Sequence, residues 1–227
     1  MIFADFIQNT GFKRVDIGGR EILTEFKRDF EDVKNFTESK MGKYEVVKEQ
    51  FQSDKFTQEY RVQELTKAID IVDKNISDFI NKKVLNMKDK YELALKQSKV
   101  KNQDENISRN NLIKISTLGD LSEDNIKELF EFSKDKDINV IMVLQVQAEK
   151  KELTELSEQI KEYINDFTCA KELNYIKKEI EEMESLKSYL QCRVIENFGV
   201  ENGYLSGINT IMSDYIDQID NIIKTFN

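Results

Sequence analysis

The sequence has no proline, no tryptophan and no histidine, and only eight glycines in 227 residues. Without histidine the usual general base, metal ligand and physiological pH switch are missing, which turns the reading away from most hydrolytic and metal chemistry. Two tracts, 43–118 and 120–198, contain neither proline nor glycine. Those residues cost roughly 3 and 1 kcal/mol inside a helix, so their absence over such lengths favours long helices. No run approaches the ~18 apolar residues of a membrane span, and MIFADFIQN lacks a basic stretch before an apolar core. Neither a membrane association nor a Sec leader is therefore expected. Cysteine is limited to Cys169 and Cys192. Along one continuous helix they would stand about 35 Å apart, too far to bridge. They read as small apolar residues.

What is present is charge and periodicity. Forty-three acidic and 34 basic residues give a net charge of −9, with both signs interleaved. A nucleic-acid partner, which calls for a basic face, is not expected. Hydrophobic residues make up 39% of the chain, too many and too regularly spaced for general disorder.

Residues 1–20 are the least helical part. Phe3, Phe6 and Ile7 form an apolar patch followed by Gly11, Gly18 and Gly19. This N-terminal arm either folds onto its own chain or docks on a neighbouring subunit. From Glu21 the helical pattern begins, pauses at Gly42 and resumes. Val62, Leu65, Ile69, Val72, Ile76 and Phe79 step by alternating threes and fours, a heptad seam. The stripe continues through Ile80, Val84, Met87, Tyr91 and Leu95 with a stutter. Apolar residues then thin out between Lys96 and Arg109. A second periodic tract runs from Leu153 through Leu156, Ile160, Ile164 and Phe167 to Val194, ending near Phe198. Gly199, Gly203 and Gly207 open a loop before a last helix carrying Ile208, Met212, Tyr215, Ile219, Ile222 and Phe226.

Between the two tracts, residues 111–151 are patterned differently. Ser122 is a candidate N-cap for a helix starting at Glu123, with acidic residues in its first turn. Ile126, Leu129, Phe130 and Ser133 give that helix one face. A Lys-Asp-Lys-Asp linker follows, and Ile138 to Val146 form a second apolar helix. Leu112, Ile115, Leu118 and Leu121 supply a lid. Asp135, Asp137 and Asn139 have the spacing of a calcium loop, but Val140 stands at the required glycine and Val146 at the required glutamate, so no metal is expected.

The fold class expected is all-α. A long helical, coiled-coil segment (21–108) and a return helix (151–198) would pack as an elongated antiparallel hairpin around a small helical module (109–150). The arm (1–20) would precede them, and a loop with a short C-terminal helix (199–227) would follow. Catalytic, cofactor-binding and metal residues are expected to be none. The candidate partner contacts are Phe3, Phe6, Ile7, Leu129 and Phe130.

The Ser-Arg-Asn-Asn entry at 108–111, the short Leu/Ile segment and then LSEDNIKELFEFSKDKDINVIMVLQ resemble modules in coiled-coil structural proteins of tailed phages of low-GC Gram-positive hosts. That resemblance covers about 40 residues. It implies a virion component without an active site, homo-oligomeric and bound to the major capsid protein or another virion protein. A capsid accessory or decoration subunit is the leading expectation. A scaffold that leaves the mature particle, or an intracellular coiled-coil adaptor or inhibitor in the cytoplasm, stand as alternatives.

Overall fold

In a computed structural model the described residues are 6–13, 15–52, 55–99, 104–190, 193–196, 199–202 and 207–226. They are predominantly helical: α1 (Gly19–Phe51), α2 (Gln58–Gln97), α3 (Glu105–Thr117), α4 (Glu123–Ser133), α5 (Ile138–Lys150), α6 (Thr154–Phe167), α7 (Ala170–Ser185) and α8 (Ile208–Thr225). A 3-10 turn (Leu186–Leu190) leads from α7 into a four-residue antiparallel ribbon, β1 (Arg193–Glu196) and β2 (Gly199–Asn202). Its register pairs Val194 with Glu201 and Ile195 with Val200. The all-α class therefore holds, with one small ribbon added.

The chain divides into two compact units, each drawn from separate stretches. The first unit holds 1–17 and 94–173, the second 18–93 and 174–227.

The second unit is built on long helices. α1 and α2 run antiparallel, because partners descend one helix as they ascend the other. Glu25 pairs with Lys90, Asp29 and Asp32 with Lys83, and Phe36 stacks on Phe79 at 4.2 Å. Burial lowers the Lys83 pKa, but hydrogen bonds to both aspartates outweigh it and raise it above the ordinary value. α8 lies antiparallel on α1 through Lys27–Asp220 (2.7 Å), Lys34–Ser213 (3.0 Å) and Asn209–Glu38 (3.2 Å), with the Phe30 and Tyr215 rings edge to face at 5.5 Å. α7 meets α8 through Tyr175–Phe226 and Ser185–Tyr215, and α2 through Glu184–Lys88. The seam expected on α2 is real at its centre: Leu65, Ile69, Val72, Ile76, Ile80, Val84 and Met87 are all buried.

The return helix expected over 151–198 is not one helix. It is α6, α7, the 3-10 turn and β1. The break between α6 and α7 comes at Cys169, not at a glycine or proline. Asp135, Glu152 and Cys169 all take left-handed φ of 55–58°, and they stand at the α4/α5, α5/α6 and α6/α7 junctions. At the end of α5 the Leu153 N–H bonds the Ala148 carbonyl and the Glu152 N–H bonds the Glu149 carbonyl. That is a Schellman stop built with glutamate where glycine is usual.

The opposite happens in α1. Gly42, which reads as a pause, sits inside an uninterrupted 33-residue helix. No heavy atom lies within 4 Å of where its Cβ would stand. Gly42→Ala is therefore expected to raise stability by roughly 0.5–1 kcal/mol through the unfolded chain, read as a higher urea midpoint at unchanged slope.

Candidate functional site

In the first unit, α3, α4, α5 and α6 enclose a core of Ile115, Ile126, Leu129, Phe130, Ile141, Leu144, Ile160 and Phe167, and the N-terminal arm contributes Ile7 and Phe12 to it. The starts of α3, α4 and α5 are each fixed by an acceptor side chain. Asp104 accepts from the N–H groups of Asn106 and Ile107, Ser122 from Asn125, and Asp137 from Asn139 and Val140. Such caps fill the free N–H groups of a first turn.

Asp137 does more than cap. It is 0% exposed, and its two oxygens accept from four groups. Oδ1 takes Ser108 Oγ at 2.9 Å and the backbone N–H groups of Asn139 (3.2 Å) and Val140 (3.4 Å). Oδ2 takes Asn111 Nδ2 at 2.9 Å. A buried carboxylate is tolerable when donors and a helix N-terminus neutralise it.

Asn111, also fully buried, carries the network to the arm. Its Oδ1 accepts the Gln8 N–H at 3.1 Å, and its Nδ2 donates to the Gln8 carbonyl at 3.0 Å. One amide side chain thus reads both main-chain groups of a single arm residue. One turn later, Lys114 Nζ donates to the Phe6 carbonyl at 3.0 Å and stands over the Phe6 ring at 5.6 Å. Thr10 Oγ1 donates to the Lys136 carbonyl, and Cys169 Sγ to the Val15 carbonyl at 3.1 Å. An aromatic run, Phe12–Phe167–Tyr163–Phe130, ties the arm's far end to α6 and α4. Ser108, Asn111 and Ile115 are all buried on one face of α3, because spacings of three and four lie side by side on a helix. The arrangement is a clamp on an irregular segment that recognises main chain at Phe6 and Gln8 and apolar side chains at Ile7 and Phe12.

Of the sequence-derived contact residues, Ile7, Leu129 and Phe130 are buried in this core and Phe6 packs against it half-buried. Phe3 lies outside the described residues. The four described residues are thus committed to the chain's own core, and the arm folds onto its own helices. Of the lid, Ile115 and Leu121 are buried and Leu112 partly so, while Leu118 is exposed. Asp135, suggested by the calcium-like spacing, exchanges hydrogen bonds with Tyr163: its N–H donates to the phenol and its carboxylate accepts from it. Burial raises the Tyr163 pKa. Among the described residues, no group of three or more metal-ligating side chains comes together, and no helix is long and apolar enough to cross a membrane.

The clamp residues are absent from the sequence-derived set. Asp137 carried a signal, an aspartate immediately before the apolar run at Ile138. Asn111 carried none, since its role depends on an arm a hundred residues away.

Two further features belong to the second unit. A groove of about 270 Å³ between α1 and α2 is lined by Tyr44, Val47, Ala68, Ile71 and Val72, with Lys40 and Lys43 along it. On α7, Glu179 is 0% exposed and neither of its oxygens has a hydrogen-bond donor; Oε2 of Glu182, one turn on, is likewise buried without one. Burial, then the neighbouring Glu182, push the Glu179 pKa up to about 8. Lys178, which pairs with Glu182 at 3.2 Å, acts the other way. The signal was legible: Glu179 falls within the stripe of Ile176, Ile180 and Met183.

Asn111→Ala removes both arm contacts and one Asp137 donor. It is expected to cost about 1–3 kcal/mol and to free residues 6–12, seen as faster amide exchange confined to the arm and α3. Unchanged exchange at Gln8 would refute the clamp. For Glu179, the native carboxyl keeps its proton up to about pH 8, whereas the unfolded one releases it near its ordinary 4.5. The native state binds more protons in that window, so stability falls as pH rises through it, by on the order of several kcal/mol, and levels off above. Denaturant titrations across this range should show the slope attributable to this group in the wild type and its loss in Glu179→Gln.

No known family model, curated protein or solved structure matches this chain.

Proposed function

We propose that this chain is a non-enzymatic structural subunit of a tailed-phage particle, acting through helical protein–protein contacts as a capsid accessory or decoration protein. In this reading it is assembled in the cytoplasm of a low-GC Gram-positive host, associates with copies of itself and docks on the major capsid or another virion protein. Antiparallel coiled-coil packing of its long helices is the architecture through which it works. The antiparallel course of α1 against α2 is the support for that part.

The observation that carries the proposal is a second apolar stripe on α2. Its inner face is buried, yet Tyr60, Ile71, Leu85 and Leu93 remain 45%, 62%, 63% and 57% exposed. At 100° per residue these four fall within an arc of about 80° on one outward face. Lys67, Asp78, Lys82 and Asp89 occupy the same arc. Aliphatic side chains repeated on one solvent-facing helix surface, interspersed with charge, are what a partner helix reads. The groove beside Ile71 extends the apolar surface onto α1. The likeness of residues 108–145 to phage coiled-coil modules supplies the particle context.

Mass spectrometry of purified particles, with this chain quantified against the major capsid protein, tests the reading. A fixed copy number in finished virions is expected. Presence in procapsids with absence from virions would make it a scaffold instead, and absence from both would remove it from the particle. Ile71→Asp with Leu85→Asp should lower incorporation at least tenfold while circular dichroism stays unchanged, since both positions are on the surface.

A further inference from the structure

The clamp on the arm recognises a segment of chain rather than a fixed covalent neighbour. Its polar contacts run to main chain: Asn111 to both amide groups of Gln8, Lys114 to the Phe6 carbonyl, and Thr10 of the arm to the Lys136 carbonyl. The apolar seats of Ile7 and Phe12 are equally indifferent to which chain fills them. Clamp and ligand are far apart in sequence: the bonds span 103 to 126 residues.

The face that receives the arm is, in contrast, local. It is made by α3, the turn at Lys136 and α6, which lie within 63 residues, Glu105 to Phe167, and it needs no arm residue to cap α3 or α5, since Asp104 and Asp137 do so.

We propose that this face, drawn from α3 to α6, is an exchange site that takes the arm, residues 6–12, of a second copy of the chain by the same contacts that hold its own. The proposal deepens the particle reading and rests on it for the crowding that favours exchange. Capture of the chain's own arm is governed by an effective concentration, on the order of 1 mM for short flexible tethers and lower for long intervening chain. Copies held side by side in an assembly reach comparable local concentrations. Own and foreign arms then compete on equal chemistry, and exchanged arms link neighbouring subunits without creating any new surface.

The test uses the full chain with Phe6 replaced by a photo-reactive benzoylphenylalanine, prepared in light and heavy nitrogen. The two forms are mixed in denaturant, refolded together and irradiated at dilute concentration and at about 1 mM, where capture between copies competes. Crosslinked peptide pairs joining the arm to α3 are then sorted by mass. Exchange predicts same-isotope pairs at low concentration and hybrid light–heavy pairs at high concentration, rising toward about half of the total for random exchanged dimers. Only same-isotope pairs at both concentrations would overturn the proposal, while the copy number in particles would still stand or fall by itself. Asn111→Ala should reduce hybrid and same-isotope pairs together, by several-fold. Hybrid pairs that survive the substitution undiminished would mean a foreign arm binds elsewhere, and would overturn the assignment of the site.

Discussion

The first unit is organised around one buried charge. Asp137 brings a carboxylate into a setting without solvent, and everything that makes this tolerable is also what shapes the unit. Its donors come from α3, through Ser108 and Asn111, and from the first turn of α5. A single acceptor therefore fixes the start of one helix and its approach to another. Because Asn111 has a second half to its amide, the same constraint reaches out and orients the arm. An apolar residue at 137 could fill the space, but it could not specify which face of α3 turns inward.

The second unit solves a different problem. Its helices are too long for one polar centre, and their order is set by ladders of side-chain pairs along antiparallel neighbours. Most of these ion pairs are at least partly exposed, so they choose register more than they stabilise. Burial on the inner faces of α1 and α2 does the stabilising. Against that background the Glu179–Glu182 neighbourhood is a local conflict: neither oxygen of Glu179 and only one of Glu182 has a donor. A retained proton resolves it at neutral pH.

Much of this was legible in the sequence. The α2 seam, the module helices with their Ser122 cap, and the C-terminal helix all follow from spacing and caps, because these are local patterns with a single period. The return helix failed for a specific reason. Neither glycine nor proline marks the break at Cys169, where a residue without a stop signal of its own takes left-handed backbone. The converse error at Gly42 has the same root, since a long helix packed on its neighbours tolerates a weak residue. The site was half readable. An aspartate before an apolar run announces a cap, but nothing near Asn111 announces the arm it grips. Phe6, Ile7, Leu129 and Phe130 stood out as exposable aromatics and aliphatics; they do form one cluster, within the chain's own core.

The interleaving of the two units along the chain has a consequence for biosynthesis. α1 leaves the ribosome well before α8, which lies along it. The whole of 94–173 is made in between. At roughly 5–20 residues per second, α1 and α2 wait on the order of ten seconds for the surfaces that meet α7 and α8 to be covered. The first unit, complete in sequence at Leu173, can fold while the second still lacks Asn174–Asn227.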